Sequence, residues 1–465
     1  MTQLLPVIGL VVIIGALLLY YRPTWVPLLF GLAAPFGLVA LPGGLQFVTA
    51  MSFLLVATAV VDRLQRGLLP LPRNLPALMA VVWSLGIILA MVQSPTLFTS
   101  AKFGLWQITA ALVALSWAEL AGRPRALQRA LVAWLIGAIA VALTGFLFAK
   151  GGLEASFDGA VVTGRPTGVF GQPNEYGLYC MLVFVFTVGL WGLTAGRLRW
   201  LLAATAAISG LGMVQSLSRG AWLGAVAGLL VLFLLVPQLR KPFLVAAGIV
   251  VVLGAALTIS PVQIPGVTLV TERVLSIADR GSNPYDLRES YRAEGVREWL
   301  AEPWLGQGPN TFPELSTQIN SEARPGGAEH PHNFFIAVAA EQGIVGIVAV
   351  VGFGVAVILA ARMGRRQVWA AYRAQRGPPS AQSGVARVLP PLSAALTMAA
   401  AAALAALMVE GFADYPMRNA LSRTTVWLMV GWALAGQRVL TMQLRRQRAD
   451  SEDAAEAQPL DARSA

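Results

Sequence analysis

Apolar runs alternate with short polar breaks along almost the whole chain. Runs of membrane-spanning length fall at 4–20, 25–41, 43–61, 75–92, 101–119, 130–149, 173–195, 199–215, 220–236, 242–260, 333–361, 389–413 and 423–441. A helix needs roughly 17–25 such residues to cross the hydrocarbon core. The first three runs are separated by very short turns, so the pattern predicts 12 or 13 transmembrane helices. Residues 1–150 and 151–260 form two helical blocks, 261–332 a large loop between spans, 333–441 a last block, and 442–465 a charged tail read as disordered. Within the loop, Asp286 to Glu302 reads as an amphipathic helix with Leu287, Tyr291, Val296, Trp299 and Leu300 as apolar contacts. The expected fold is an all-α polytopic membrane protein with one large, partly helical outer loop.

Composition supports that reading. Of 465 residues, 56% are hydrophobic and 12% charged, against roughly 25% charged in soluble domains. Mean hydropathy is +0.66. A large water-soluble core is excluded. The net charge of +11 does not point to nucleic acid, because the arginines sit between apolar runs and not on one face of a domain. The single cysteine, Cys180, excludes a disulfide framework within the chain. The start, Met-Thr-Gln-Leu-Leu, has no basic segment before its apolar run and reads as a retained helix.

Arginine placement sets the orientation. If the tail that opens with Arg438, Arg445, Arg446 and Arg448 is cytoplasmic, alternation puts Arg22, Arg63, Arg66, Arg73, Arg123, Arg125, Arg129, Arg197, Arg199, Arg240, Lys241 and the 362–387 stretch on the same side. The 261–332 loop, with ten acids and six arginines, then lies outside. So does a second loop, 150–172, that is Gly-rich and runs into Gln172-Pro-Asn174.

Candidate chemistry collects at the outer boundary. The only two histidines, His330 and His332, stand where the large loop re-enters the membrane, followed by Asn333. A histidine there can act as a general base near neutral pH; it can equally be a helix-start residue with no role. Arg219, Arg165 and Arg288 lie on the same side, and guanidinium forks suit a pyrophosphate. Singly, each is better explained by snorkelling toward lipid headgroups, the commoner fate of a lone boundary arginine. Asn174 reads as a helix cap, Gly343 and Gly346 as close-packing positions, and Glu410 and Asp414 as interfacial acids or partners for an arginine such as Arg418.

The string His332-Asn333, nine residues, Gly343-x-x-Gly346 resembles the signature of the O-antigen ligase superfamily, which also holds O-antigen polymerases and bacterial protein O-oligosaccharyltransferases. Three further segments are similar in order and side: Arg165 through Gln172-Pro-Asn174, Ser218-Arg219-Gly220, and Arg288 through Trp299 to Pro303-Trp-Leu-Gly306-x-Gly308. The resemblance covers roughly residues 160–440. It implies transfer of a glycan from undecaprenyl pyrophosphate to an acceptor hydroxyl on the periplasmic face of the bacterial inner membrane, without metal or other cofactor. His332 would be the base. Arg219 would hold the pyrophosphate, with Arg165, Arg288, Asn174, Gln172, His330 and Asn333 as further substrate contacts. The implied partners are the lipid-linked glycan, lipid A–core or another glycan or protein acceptor, and membrane lipids.

Two other classes fit less well. A lipid-linked glycan transporter or flippase places ionisable residues at mid-membrane, and the spans before residue 333 are almost free of them. A metal-dependent oligosaccharyltransferase needs acids in an early outer loop, and Leu41–Gly44 and Gln93–Ser100 contain none. Within the superfamily, ligase comes first, polymerase second and protein glycosylation third.

Overall fold

The computed structural model describes residues 20–41, 45–148, 155–157, 160–162, 165–259, 270–271, 288–316, 330–374 and 389–456. In chain order the helices are α1 (Val26–Leu32), α2 (Phe47–Gln65), α3 (Leu75–Val92), α4 (Leu97–Leu120), α5 (Pro124–Phe148), α6 (Pro173–Trp191), α7 (Gly196–Gln215), α8 (Arg219–Leu235), α9 (Pro237–Ile259), α10 (Arg288–Ala301), α11 (Phe312–Leu315), α12 (Phe334–Ala374), α13 (Leu392–Glu410) and α14 (Ala420–Glu456). Strands β1 (Ala155–Phe157) and β2 (Ala160–Val162) pair antiparallel between α5 and α6. Among the described residues, eight helices, α2 to α7 with α12 and α13, are long and apolar enough to cross a membrane. Helices α8 and α9 and the first half of α14 lie on three more of the predicted runs. The protein is an all-α polytopic membrane protein.

Its surface shows why the composition is so apolar. Leu85, Ile88 and Leu89 on α3 and Leu244, Val251 and Val252 on α9 are exposed, which only lipid makes favourable over a whole helix face. The interior is built on α6, α13 and α14. Helix α13 is largely alanine, and its buried Ala395, Ala399, Ala402 and Ala406 let neighbours approach closely. The remaining space is filled by Trp117, Trp134, Phe186 and Trp432, whose rings meet at 5.0–6.2 Å between centroids.

Three expectations need correction. Run 25–41 is not one helix: a 3-10 turn (Pro23–Trp25), α1 and a second 3-10 turn (Ala34–Phe36) follow one another. Pro23, Pro27 and Pro35 break the helical hydrogen-bond ladder repeatedly. Run 333–361 is longer than expected and interrupted, because α12 extends to Ala374 and Gly343 inside it has φ 60° and ψ −157°. The tail is not unstructured up to Glu456, since α14 runs through it. Residues 442–456 contain no glycine or proline and are rich in Arg, Gln, Ala and Glu, all good helix formers. Run 4–20 lies outside the described residues.

One end of the bundle is tied by a buried ion-pair network. Glu119 of α4 pairs with Arg63 (2.8 Å), Arg438 (2.5 Å) and Arg66, and Asp62 pairs with Arg66 (2.6 Å) and Arg123 (2.5 Å). These are residues that the arginine pattern assigned to one side. The other end of α4 is fixed differently: Ser100 Oγ donates to Pro309 O (2.9 Å) and Gln93 Nε2, just before α4, to Gly306 O (2.7 Å). The segment 303–309 is seated in the break of α12. Ile344 N donates to Pro303 O, Gln307 N to Ala340 O and Gly308 N to Glu341 O. A side chain at Gly343 would meet the Trp304 backbone at 2.4 Å. The predicted packing role of Gly343 is thus a docking role for the 303–309 segment.

Candidate functional site

The site is assembled at this second end from four places in sequence. Helix α8 brings Arg219. Its small residues face α13, where a Cβ on Gly224 would come within 2.7 Å of Ala406 O and one on Gly228 within 3.0 Å of Ala402 O. This close seam sets Arg219 beside the end of α13. Ser218 caps α8 by accepting from Ala221 N (3.4 Å), which makes Arg219 the first helical residue.

The loop before α6 is held by Tyr176, buried and donating to Ala142 O (2.6 Å). Gly168, at φ 53°, gives the ring room. Arg165 follows from that anchor: its Nε donates to Ser216 O (2.8 Å) and its Nη2 to Asn174 Oδ1 (3.1 Å). Asn174 in turn donates to Asp414 Oδ2 (3.1 Å). Asn174 is therefore not the cap of α6; Gln172 is, by position and without a side-chain bond.

A cleft of about 190 Å³ opens here, with Asn174, Arg219, Arg288, Glu410 and Asp414 on its wall. Arg219 and Arg288 are half-buried. Gln172 and Arg165 do not line it. Glu410 is buried, and its Oε2 has no hydrogen-bond partner among the described residues.

Asp414 joins this cleft to the histidines. His332 Nδ1 lies 3.3 Å and His330 Nε2 3.9 Å from Asp414 Oδ1. The His332 contact is close but is not a well-formed hydrogen bond. The imidazoles sit 4.2 Å apart between centroids, and His332 N donates to His330 Nδ1 (3.2 Å). His332 has φ 47°, a left-handed conformation uncommon for a residue with a side chain. Arg292 of α10 holds it there, donating to His332 O (3.4 Å) and Phe412 O (3.0 Å). Tyr291 lies nearly parallel to the His332 ring. Asn333 spends its side chain capping α12, accepting from Phe335 N (3.0 Å) and Ile336 N (3.1 Å).

Charge follows geometry. Burial pushes the His330 pKa down to about 3, helped by the His332 and Arg288 charges and opposed by Asp414, so His330 is neutral. Burial alone would raise Asp414. The adjoining His332 imidazole and the Arg288 charge outweigh it and hold the carboxyl below its usual range. A carboxylate facing one nitrogen of a histidine orients the ring and stabilises its cation, which frees the other nitrogen to take a proton. The same three groups also bring one ligand atom each within 4.8 Å of one another, and two histidines with a carboxylate are a competent donor set for a divalent metal.

The structure thus brings together His330, His332, Asn174, Arg219 and Arg288, with Asn333 alongside. It places Arg165 behind Asn174 and leaves Gln172 at the rim of α6. Sequence reasoning missed the histidine pairing of Asp414, for which an arginine partner was considered, and missed Arg292 altogether. A carboxylate 82 positions after His332 carries no local signal of pairing with it.

None of the curated proteins matches the chain. Residues 204–351 match the sequence model of the family described as O-antigen ligase. The matched stretch contains Arg219, Arg288, Arg292, both histidines and the Gly343 break, while Arg165, Asn174 and Asp414 lie outside it. Residues 204–351 are thus similar to that family, and the match supports a membrane glycosyltransferase of the ligase or polymerase type.

Proposed function

We propose that the protein transfers a glycan from undecaprenyl pyrophosphate to an acceptor hydroxyl on the periplasmic face of the inner membrane, as an O-antigen ligase with lipid A–core as acceptor. The observation that carries this is the run of contacts Arg165–Asn174–Asp414–His332, which sets a histidine–carboxylate pair beside a cleft walled by Arg219 and Arg288. Arg219 and Arg288 bind the pyrophosphate and stabilise the charge that grows on it as the anomeric C–O bond breaks. His332, oriented by Asp414, takes the acceptor hydroxyl proton through Nε2 as the oxygen attacks. Attack on an α-linked donor inverts the anomeric centre. His330, neutral and bonded to the His332 N–H, is a positioning residue, and so are Arg165, Asn174 and Arg292.

The reaction so written needs no metal, and the His330–His332–Asp414 cluster is the one place among the described residues where that is open to challenge. Purified protein with a lipid-linked glycan is offered lipid A–core, a second lipid-linked glycan, or a pilin-type protein, with and without EDTA. Product on lipid A–core that survives chelation and is abolished by His332→Ala is the expected result. Product on another acceptor reassigns the branch. Activity lost to EDTA and restored by a divalent cation turns the cluster into a metal site and ends the proposed base role.

A further inference from the structure

The end of the bundle opposite the cleft carries a second recess. A cavity of about 620 Å³ lies between the Pro23–Trp25 turn, the start of α5 and α14. Arg22, Arg123, Arg125, Arg129 and Arg446 line it, and no acidic side chain does. Arg123 is committed to Asp62 (2.5 Å). The other four form no ion pair among the described residues. Asp62 and Glu119, at the same end of the bundle, are already held by Arg63, Arg66, Arg123 and Arg438.

Arg22, Arg125, Arg129 and Arg446 are exposed, yet together with Arg123 they line one recess. Helix α5 starts there, so its dipole adds to the positive potential. The same wall is apolar toward lipid. Leu28 lines it, and Trp25 does so while 52% exposed. Tyr20 and Tyr21, just ahead in the chain, are exposed as well. Aromatic rings at this position mark the headgroup level of a bilayer. A ligand that fits has a negative head for the guanidinium forks and apolar chains to leave along Trp25 and Leu28.

We propose that this recess binds the phosphate headgroup of an anionic phospholipid from the leaflet on the arginine-rich side. Two other occupants share the anionic chemistry. Free phosphate lacks the chains. The acids Asp450 and Glu452 are exposed on the helical extension of α14 and do not line the recess.

Native mass spectrometry of the full chain released from detergent tests the assignment, with phosphatidylglycerol or phosphatidylcholine added. Phosphatidylglycerol should be retained in preference. A basic residue near an anionic surface contributes about 1 kcal/mol, a factor of about five, so Arg125→Gln/Arg129→Gln should weaken phosphatidylglycerol retention about 25-fold and leave phosphatidylcholine unchanged. Equal phosphatidylglycerol retention by the double variant and the wild type overturns the proposal. So does displacement of the lipid by inorganic phosphate at matched concentration, which assigns the recess to a free anion. A chain ending at residue 449 that binds phosphatidylglycerol when the full chain does not assigns it to the tail and overturns the proposal as well.

Discussion

Replacing Asp414 by asparagine separates a positioning carboxylate from a mere loop anchor. The substitution is nearly isosteric. An asparagine oxygen can still accept from Tyr415 N, now at 2.9 Å, so the loop keeps its local turn. What disappears is a negative charge 3.3 Å from His332 Nδ1, together with the acceptor for Asn174 Nδ2. Two full charges at that distance attract by about 5 kcal/mol at an effective dielectric constant of 20. The imidazolium is only partly formed in the transition state, so about half of that, roughly 2.5 kcal/mol, is the lower bound. At 1.36 kcal/mol per decade this is a fall in kcat of about a hundredfold to several thousandfold. The effect should sit in kcat, with donor affinity little changed, because Arg219 and Arg288 remain. The assay is transfer by purified protein at saturating lipid-linked donor, beside a thermal unfolding curve in detergent that confirms the variant is folded. A folded Asp414→Asn protein whose kcat is within threefold of wild type refutes the dyad.

Three further outcomes follow from other parts of the structure. Arg219→Ala should be nearly inactive, with a loss of several kcal/mol by analogy with the ~3–5 for breaking a buried ion pair, and Arg219→Lys only partly restored for want of the bidentate fork; undecaprenyl pyrophosphate affinity unchanged in the alanine variant leaves headgroup snorkelling as the role. Gly343→Ala should unfold at lower temperature, since φ 60° with ψ −157° is a region only glycine populates, costing about 1–3 kcal/mol before the 2.4 Å overlap with Trp304 is counted, whereas Gly354→Ala on the same helix meets nothing within 4 Å and should be silent. His330 has a folded pKa lowered to about 3, so as pH falls below about 6.5 protons bind the unfolded chain first and stability is lost; from pH 7.5 to 5.5 the loss is about 1.4 kcal/mol, and the acid shift of the melting temperature should shrink in His330→Asn, with an identical shift in both proteins as the contrary result.

How much of this was legible in the sequence depends on whether the cause is local. The spans were legible, because apolar length is a property of a segment by itself. The same rule failed at 25–41, where spacing alone ignores that three prolines each remove a backbone donor. It failed again at 442–456, where charge was read as disorder although the residues are good helix formers without a breaker. Gly343 was legible as a close-packing position, but only the docked Pro303–Gly308 segment shows what packs there and that its free φ matters too.

The site divides in the same way, and the division explains which residues needed the structure. Arg219 and His332 stand beside sequence features that mark them, a helix start and a loop re-entry, and their chemistry is visible in one residue type at one boundary. Asp414, Asn174 and Arg292 act through partners on other helices, so their roles exist only after α6, α10, α13 and the His330–Asn333 segment have packed. Arg165 shows the reverse. Its position on the outer face suggested a phosphate ligand, yet its guanidinium reaches Ser216 O and Asn174 Oδ1. In the proposed reaction its influence on the donor would pass through Asn174 and the turn that precedes Arg219. Loss of Arg165 should accordingly displace two cleft-lining residues at once, which makes its effect depend on packing and not on its charge.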